Sequence, residues 1–423
     1  MSRVAVVGAG YVGLTTAAFL AHLGHRVVGA DVVPEKVERL NGGEVPIVEA
    51  GLEELVREGI EAGRLSFVVG AAAAVPEAEF VFLCLPTPQG ADDRADMSFI
   101  EAAAAEIGPH VEAECIVVNK STVPVGSTRA VQQALHRDDV FVVSNPEFLR
   151  EGSAVHDCLH PDRIVIGSED GAAAMRLAQL YESVQAPVII TDPVSAETIK
   201  YASNAFLAAK ISFVNAIANL CEAVGADVRE VALGMGYDRR IGFEFLKPGP
   251  GWGGSCFPKD TRALIRIAED HGYDFSLLRG VVDVNEQQYG RVVDKIARLA
   301  GRPLDGARVG VWGLTFKART DDLRASPSLA VIERLRAAGA SVRGFDPTRR
   351  EPLDGLDVVA DPYAACEDAH VLAVLTEWDE FRWLDFDKVG ALMAQRAVVD
   401  ARNLLDPGAL RRRGFVYEGI GRT

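Results

Sequence analysis

The sequence predicts an α/β protein made of two doubly wound, Rossmann-like domains joined by a long helix and a helical dimerisation domain. Three observations carry this expectation. Short apolar runs bounded by glycine alternate with helical stretches, as in parallel sheets covered on both faces. The opening run RVAVVG at 3–8 returns as RVGVWG at 308–313, and GHRVVGAD at 24–31 returns as GASVRGFD at 339–346. Between the copies, roughly thirty residues run from Asp192-Pro193 to Gly225 without a helix breaker.

The chain has 423 residues, more than one typical domain of ~100–200 residues needs. An apolar share of 48%, a charged share of 25% and 40 glycines describe ordinary globular composition, which excludes a collagen-like or mainly disordered chain. With 44 Lys and Arg against 60 Asp and Glu the net charge is −16, so the global field repels nucleic acid and acidic membranes. An anionic substrate would need a local reversal of that sign by a few placed cations. The six cysteines (84, 115, 158, 221, 256, 366) form no CxxC pair, and a strand-like run begins at Arg3 without a charged-then-apolar leader. No uninterrupted apolar stretch approaches the ~18 residues of a membrane span. A reduced, cytoplasmic protein without membrane or nucleic-acid partners is expected.

The first strand ends in Gly8-Ala9-Gly10-Tyr11-Val12-Gly13, and Asp31 closes the next strand. Glycines here permit a tight turn and close backbone approach to a pyrophosphate at a helix N-terminus. The acidic residue accepts from ribose hydroxyls and repels a 2′-phosphate, so NAD is favoured over NADP. Lys36 reads most simply as a solvated helix charge. Further apolar runs at Phe80–Leu85, Cys115–Val118 and Val140–Val143 continue the sheet. LPTP with Thr87, STVP with Thr122, and Asn145-Pro146-Glu147-Phe148-Leu149-Arg150-Glu151-Gly152 follow these strands, where loops can frame ligands. The long helix would reach about 45 Å at ~1.5 Å per residue, enough to bridge domains or supply a dimer interface. Residues to about 300 look helical apart from a Gly/Pro-rich loop. In the second copy the turn glycine and strand-end Asp are 33 residues apart (313 to 346), against 23 in the first (8 to 31). The ten extra residues fall around FKARTDDLRASP, where cationic side chains could hold a phosphate in place of a glycine cradle.

Chemistry concentrates at Cys256 in GWGGSCFPKD, where glycines strip away bulk before a thiol flanked by Lys259 and Asp260. That pattern suits an accessible nucleophile. Lys200 and Asn204 stand four apart on the long helix and could present an ammonium and an amide to one developing oxyanion. The plainer reading is a surface pair of Lys200 with Glu197. His156-Asp157-Cys158-Leu159-His160 resembles a metal cluster only superficially, and no metal is expected.

Taken together, GAGYVG, LPTP, STVPVG, NPEFLREG, Lys200 with Asn204, RIG at 240–242, FLKPGPGWGGSCFPKD, FKARTDDLR and DARN at 400–403 resemble the UDP-glucose/GDP-mannose dehydrogenase family across nearly the whole chain. The resemblance implies an NAD-binding domain at 1–192, a central helical, dimerising domain with the cysteine loop at 193–300, and a nucleotide-sugar domain at 301–423. It implies a four-electron oxidation of a sugar C6 alcohol to the acid through a thiohemiacetal and thioester on Cys256. Lys200 and Asn204 would hold the reacting oxygen, while Glu147, Thr122 and Asp260 would position water or move protons. Gly8, Gly10, Tyr11, Val12, Gly13, Asp31, Lys36, Thr87, Thr122, Glu151, Lys259 and Arg324 would contact NAD; at Lys36 family members often carry Arg. The sugar nucleotide would meet residues 147–151, Lys200, Asn204, Phe245, Lys247, Gly253, Lys317 and Arg402, with Arg240 reaching the partner subunit's site in a homodimer. RIG and the cysteine loop look most like the UDP-glucose branch. dTDP-glucose, GDP-mannose and UDP-N-acetylhexosamines need the same C6 chemistry. The competing readings are a single-step hydroxy-acid dehydrogenase and a non-catalytic dinucleotide sensor.

Overall fold

The computed structural model describes residues 1–90 and 94–422. The chain divides into two compact units, one of Met1–Ser203 with Arg262–His271 and the other of Asn204–Thr261 with the residues from Gly272 on.

The first unit alternates β1 (Arg3–Val7), α1 (Tyr11–His22), β2 (Arg26–Asp31), α2 (Pro34–Asn41), α3 (Leu52–Glu61), β3 (Leu65–Val69), α4 (Ala71–Ala74), β4 (Phe80–Leu83), α5 (Ser98–Ile107), β5 (Ile116–Asn119), α6 (Ser127–Leu135), β6 (Phe141–Ser144), α7 (Ala154–Leu159), β7 (Ile164–Gly167), α8 (Gly171–Leu180) and β8 (Val188–Thr191). Its eight strands lie in the order β3-β2-β1-β4-β5-β6-β7-β8. The first six are parallel, as a doubly wound sheet requires. β7 joins β6 antiparallel through a single pair, Ser144 with Gly167. β1 shows why the run is apolar throughout: Val4 and Val6 enter the core on one face, Ala5 and Val7 the core on the other.

α9 (Pro193–Val224) is the long helix expected from the sequence. Asp192 caps it by accepting from the Ser195 N–H at 2.8 Å, Pro193 occupies the first position, and Gly225 with φ 76° ends it. By length and composition alone α9 could cross a bilayer. It nevertheless buries Glu197, Lys200, Asn204, Ser212 and Asn215, each hydrogen-bonded to protein groups.

The second unit continues with α10 (Val228–Gly236), α11 (Phe257–Asp270), whose later residues belong to the first unit, and α12 (Ser276–Leu299). β9 (Arg308–Trp312), α13 (Pro327–Ala337), β10 (Ser341–Phe345), β11 (Asp357–Val358), β12 (Val371–Val374), α14 (Phe386–Leu392), β13 (Ala397–Asp400), α15 (Pro407–Arg412) and β14 (Val416–Gly419) follow. Its six strands, in the order β11-β10-β9-β12-β13-β14, are all parallel. The strand order of the first six strands in the other unit is thereby repeated, so the echo of RVAVVG in RVGVWG is structural. The ten-residue excess also has a location, since α13 starts only at Pro327 whereas α1 starts three residues after its turn glycine.

Candidate active site

The loop after β1 is shaped by its glycines. Gly8 has φ 96° and donates to the Ala30 carbonyl at 2.8 Å, and a Cβ there would stand 2.5 Å from the Cys84 carbonyl oxygen. A Cβ at Gly13 would stand 1.7 Å from the Gly8 oxygen, so α1 can begin this close to the strand only with glycine. Gly10, the exposed N-cap residue of α1, faces open space: among the described residues, its chain neighbours apart, no atom lies within 4 Å of where its Cβ would be. That open cradle beside the unpaired N–H groups of a helix N-terminus fits a dinucleotide's pyrophosphate. Val12 packs its side chain on the core, leaving its backbone to the cradle.

Asp31 accepts from the Ala9 N–H at 3.2 Å, the Val33 N–H at 3.1 Å and the Lys36 ammonium at 2.7 Å. Burial disfavours its charge, but Lys36 and these N–H groups outweigh it and hold the carboxyl below its ordinary pKa. Lys36 is therefore an ion-pair partner of the Asp31 carboxylate and not a plain solvated charge. Deeper in the unit, Thr87 Oγ1 donates to the Thr122 carbonyl at 2.8 Å, joining the two loops that follow β4 and β5.

Lys200 and Glu147 form a buried pair in the same unit. The Lys200 ammonium donates to Glu147 Oε1 at 2.9 Å and to the Glu147 carbonyl at 2.7 Å, while Glu147 Oε2 accepts from the Leu149 N–H at 2.5 Å. Burial opposes the Glu147 charge, yet Lys200 holds the carboxyl below its usual range. Glu197 and Lys200 are not a surface pair, because both are buried, and Glu197 accepts from Gly126 N–H at 2.5 Å, Thr128 N–H at 3.0 Å and Thr128 Oγ1 at 2.7 Å. It thus caps α6 and anchors the STVPVG loop to α9. Phe148 lies under the Arg163 guanidinium at 3.6 Å. Arg150 is engaged by Asp157 at 2.6 Å, and Glu151 is half-buried close enough to Tyr11 to act on its hydroxyl. Among the described residues, those of the His156–His160 segment included, no three His, Cys, Asp or Glu side chains converge on one point.

In the second unit Cys256 is half-buried and sits immediately before α11, its Sγ 3.5 Å from Ser255 Oγ. Asp260, fully buried one turn on, donates its backbone N–H to the Cys256 carbonyl at 2.9 Å. Its carboxylate accepts from the Asn204 amide at 2.6 Å and the Lys259 ammonium at 2.5 Å. Asn204, Lys259 and Asp260 are therefore one cluster beside the thiol loop. The loop is held by Trp252, whose indole donates to Ser212 Oγ at 2.8 Å and whose ring meets Phe257 edge-on. A Cβ on Gly253 would stand 2.0 Å from the Ala325 oxygen, so the loop packs directly on the insertion before α13.

The insertion carries Lys317, half-buried 5.3 Å from the Phe316 ring, and Arg324, which meets Asp322 at 2.8 Å. Arg402 reaches the Phe316 carbonyl at 3.0 Å and Glu377 at 2.9 Å, so Lys317 and Arg402 flank one residue. Phe245, with φ 63°, faces Phe257 at 6.3 Å, and Lys247 is exposed. The Arg240 side chain is 88% exposed and meets Asp238 at 2.6 Å.

Two residues escaped the sequence reading. Lys120, at the end of β5, donates to Asn145 Oδ1 at 3.1 Å, and burial lowers its pKa. With Glu147, Phe148, His160 and Arg163 it lines a cavity of about 150 Å³. Its place directly before Ser121-Thr122 was an available signal. Glu49, in the loop before α3, had none.

A mainly parallel sheet with an open glycine cradle and Asp31 at its rim, a second, parallel sheet with a cationic insertion, and a thiol at a helix head define a nicotinamide-dependent dehydrogenase of nucleotide sugars. The chain belongs to the UDP-glucose/GDP-mannose dehydrogenase family: that family's NAD binding domain matches residues 2–185, its central domain 194–287 and its UDP binding domain 310–407. NAD is its cofactor. The chain is 44% identical to UDP-glucose 6-dehydrogenase of Rhizobium meliloti over 99% of both chains. Among solved structures it resembles a UDP-glucose dehydrogenase from Pyrobaculum islandicum, with TM-score 0.91 and 39% identity over 100% of this chain and 98% of that one. It also resembles the UDP-D-ManNAc dehydrogenase of Pyrococcus horikoshii, with TM-score 0.88 and 28% identity over 99% of both.

Proposed function

We propose that this protein oxidises the C6 alcohol of UDP-glucose to the carboxylate of UDP-glucuronate, using two NAD and one water per product. The observation that carries the reading is Cys256 at the head of α11 beside the Asn204–Asp260–Lys259 cluster. NAD, held by the Gly8–Gly13 loop, Asp31 and Lys36 together with Thr87, Glu151, Lys259 and Arg324, supplies hydride acceptance at each oxidation. Removing a hydride and a proton from the alcohol gives an aldehyde. The Cys256 thiolate adds to its carbon, forming a thiohemiacetal that keeps the aldehyde bound and presents a C–H for the second hydride loss. That loss gives a thioester. Water then adds to the acyl carbon and the thiolate leaves, so the sum is one carboxylate, two NADH and three protons. Lys200 and Asn204 stabilise the oxyanion at each tetrahedral stage, an effect worth roughly 2.7–4 kcal/mol per donor in comparable sites. Glu147 orients the Lys200 ammonium, and Thr122 and Asp260 position water or take protons.

Residues 1–192 would hold NAD and residues 301–423 the nucleotide, through Lys317 and Arg402 with Phe245, Lys247 and Gly253. Residues 193–300 would dimerise. Phe206, Phe213, Leu220 and Val224 are all more than half exposed on α9, and the seven-residue spacing of the first three supports a second copy as their cover. Arg240 would reach that copy's substrate. Cys256→Ser should abolish acid formation while changing the NAD Kd by less than about twofold, because the thiol acts after cofactor binding. Normal turnover in that variant overturns the covalent scheme, and a panel of nucleotide sugars assayed by NADH release tests the choice of UDP-glucose.

A further inference from the structure

A carboxylate that neither loop motif contains lies between the two loops the first unit would offer its ligands. Glu49 Oε2 accepts from the Tyr11 hydroxyl and, at 2.6 Å, from the Gly152 N–H, which also reaches the Tyr11 oxygen at 2.8 Å. Tyr11 belongs to the glycine cradle and Gly152 closes NPEFLREG. They are 141 residues apart in the chain and meet on one oxygen atom. Glu49 is 92% buried, 8% of it being exposed, and its other oxygen, Oε1, has no hydrogen-bond partner among the described residues. Buried acceptors are normally satisfied, and leaving one open costs about 1–3 kcal/mol, so packing alone does not account for a carboxylate here.

We propose that Glu49 is a positioning residue that clasps the cofactor loop to the sugar loop and so sets the approach of the nicotinamide to sugar C6. The inference rests on the reading above, in which the Gly8–Gly13 loop holds NAD and residues 147–151 meet the sugar. Both partners are suited to a fixed distance: Tyr11 is in the first turn of α1, and Gly152 has φ 81°, a turn conformation that a backbone hydrogen bond pins. Burial and Glu49 both raise the Tyr11 pKa, so the phenol stays protonated and remains the donor. Glu49 is itself placed by Gly51, whose φ of 81° turns the chain into α3, and by a hydrogen bond from the Leu52 N–H to its own carbonyl at 3.3 Å. Glu49 itself contacts the two loops, and the ligands would meet those loops and not Glu49. Severing the clasp leaves each loop able to bind while the reacting atoms lose registry, and a misplacement of ~1 Å can cost about 10²-fold in rate.

Steady-state kinetics and NAD titration of purified full-length variants test this. Glu49→Ala should lower kcat about 100-fold while the NAD Kd and the UDP-glucose KM move less than about threefold. Glu49→Gln, whose amide oxygen can accept both hydrogen bonds, should restore kcat to within about fivefold of wild type. Tyr11→Phe should cost about tenfold, and adding it to Glu49→Ala should cost nothing more, because both cut one unit. Glu49→Ala with wild-type kcat, or a Glu49→Gln variant as slow as Glu49→Ala, overturns the clasp. If Glu49→Ala does not fold, Tyr11→Phe decides alone, and full activity in it overturns the proposal. Wild-type protein that forms no NADH from any nucleotide sugar overturns the functional reading instead.

Discussion

Gly8 and Gly313 do the same backbone work, but the acidic residues that close the following strand do not. Both glycines have φ above 90° and donate at 2.8 Å to the last or next-to-last carbonyl of the neighbouring strand. Asp31 then stays half-buried at the rim, shared between backbone N–H groups and Lys36. Asp346 is fully buried, and one of its oxygens accepts from the Leu314 N–H at 2.8 Å, the Thr315 N–H at 3.1 Å and the Trp378 indole at 3.2 Å. Its other oxygen takes the Thr348 hydroxyl at 2.8 Å. The same strand-turn-strand frame thus leaves its carboxylate half-exposed at the rim in one unit and buries it in backbone and side-chain donors in the other, where the insertion before α13 brings the half-buried Lys317. A shared chain geometry therefore does not imply a shared ligand: which polar groups remain unspent decides it.

The contrast is open to attack by substitution. The largest effect is expected at Asp346: Asp346→Ala strands several buried donors and should cost more than about 3 kcal/mol in urea unfolding, whereas Asp31→Ala should cost less than about 1 kcal/mol and instead raise the NAD Kd about tenfold. Equal stability losses at the two positions would erase the distinction. The turn glycines come next. Gly8→Ala should raise the NAD Kd at least tenfold with the sugar-nucleotide KM nearly unchanged, and Gly313→Ala the reverse, since each puts a Cβ within 2.5 Å of a neighbour at positive φ. Titrating both ligands against both variants separates them.

The smallest effect concerns acid. Asp31 titrates below its ordinary value of 3.8, so the stability it contributes is fully present above that pH and is lost as pH falls through the lower folded value. Lys36→Met removes the ion pair and should move the acid-unfolding midpoint, followed by circular dichroism, upward by a few tenths of a pH unit at most. A downward move would mean that Lys36 does not hold the carboxylate.

Much of this was legible in the chain. The glycine turns, the repeat and α9 were, because each is written in local backbone preference or in the absence of a breaker. Strand ends drifted by a residue or two, as at Phe80–Leu83 against the expected Phe80–Leu85, since an apolar run does not mark where pairing stops. β7 and β8 went unremarked because their attachment depends on one antiparallel pair that no periodicity announces. The candidate site divides likewise. Cys256, Asp260 and the Lys200 and Asn204 pair carry spacing that can be read directly. Glu147 as the partner of Lys200, Glu197 as an α6 cap and Glu49 as a clasp are contacts across 53, 69 and 103 residues respectively, and only folding creates them.

Trp252 gives the thiol loop a built-in optical probe. Its indole is 5% exposed, four residues before Cys256 and edge-on to Phe257, whereas Trp383 is 83% exposed and far brighter to solvent quenchers. Iodide will silence Trp383 and spare the buried Trp252 and Trp312, so comparison with a Trp252→Phe variant assigns to the loop any emission that becomes newly quenchable during turnover, without attaching a dye.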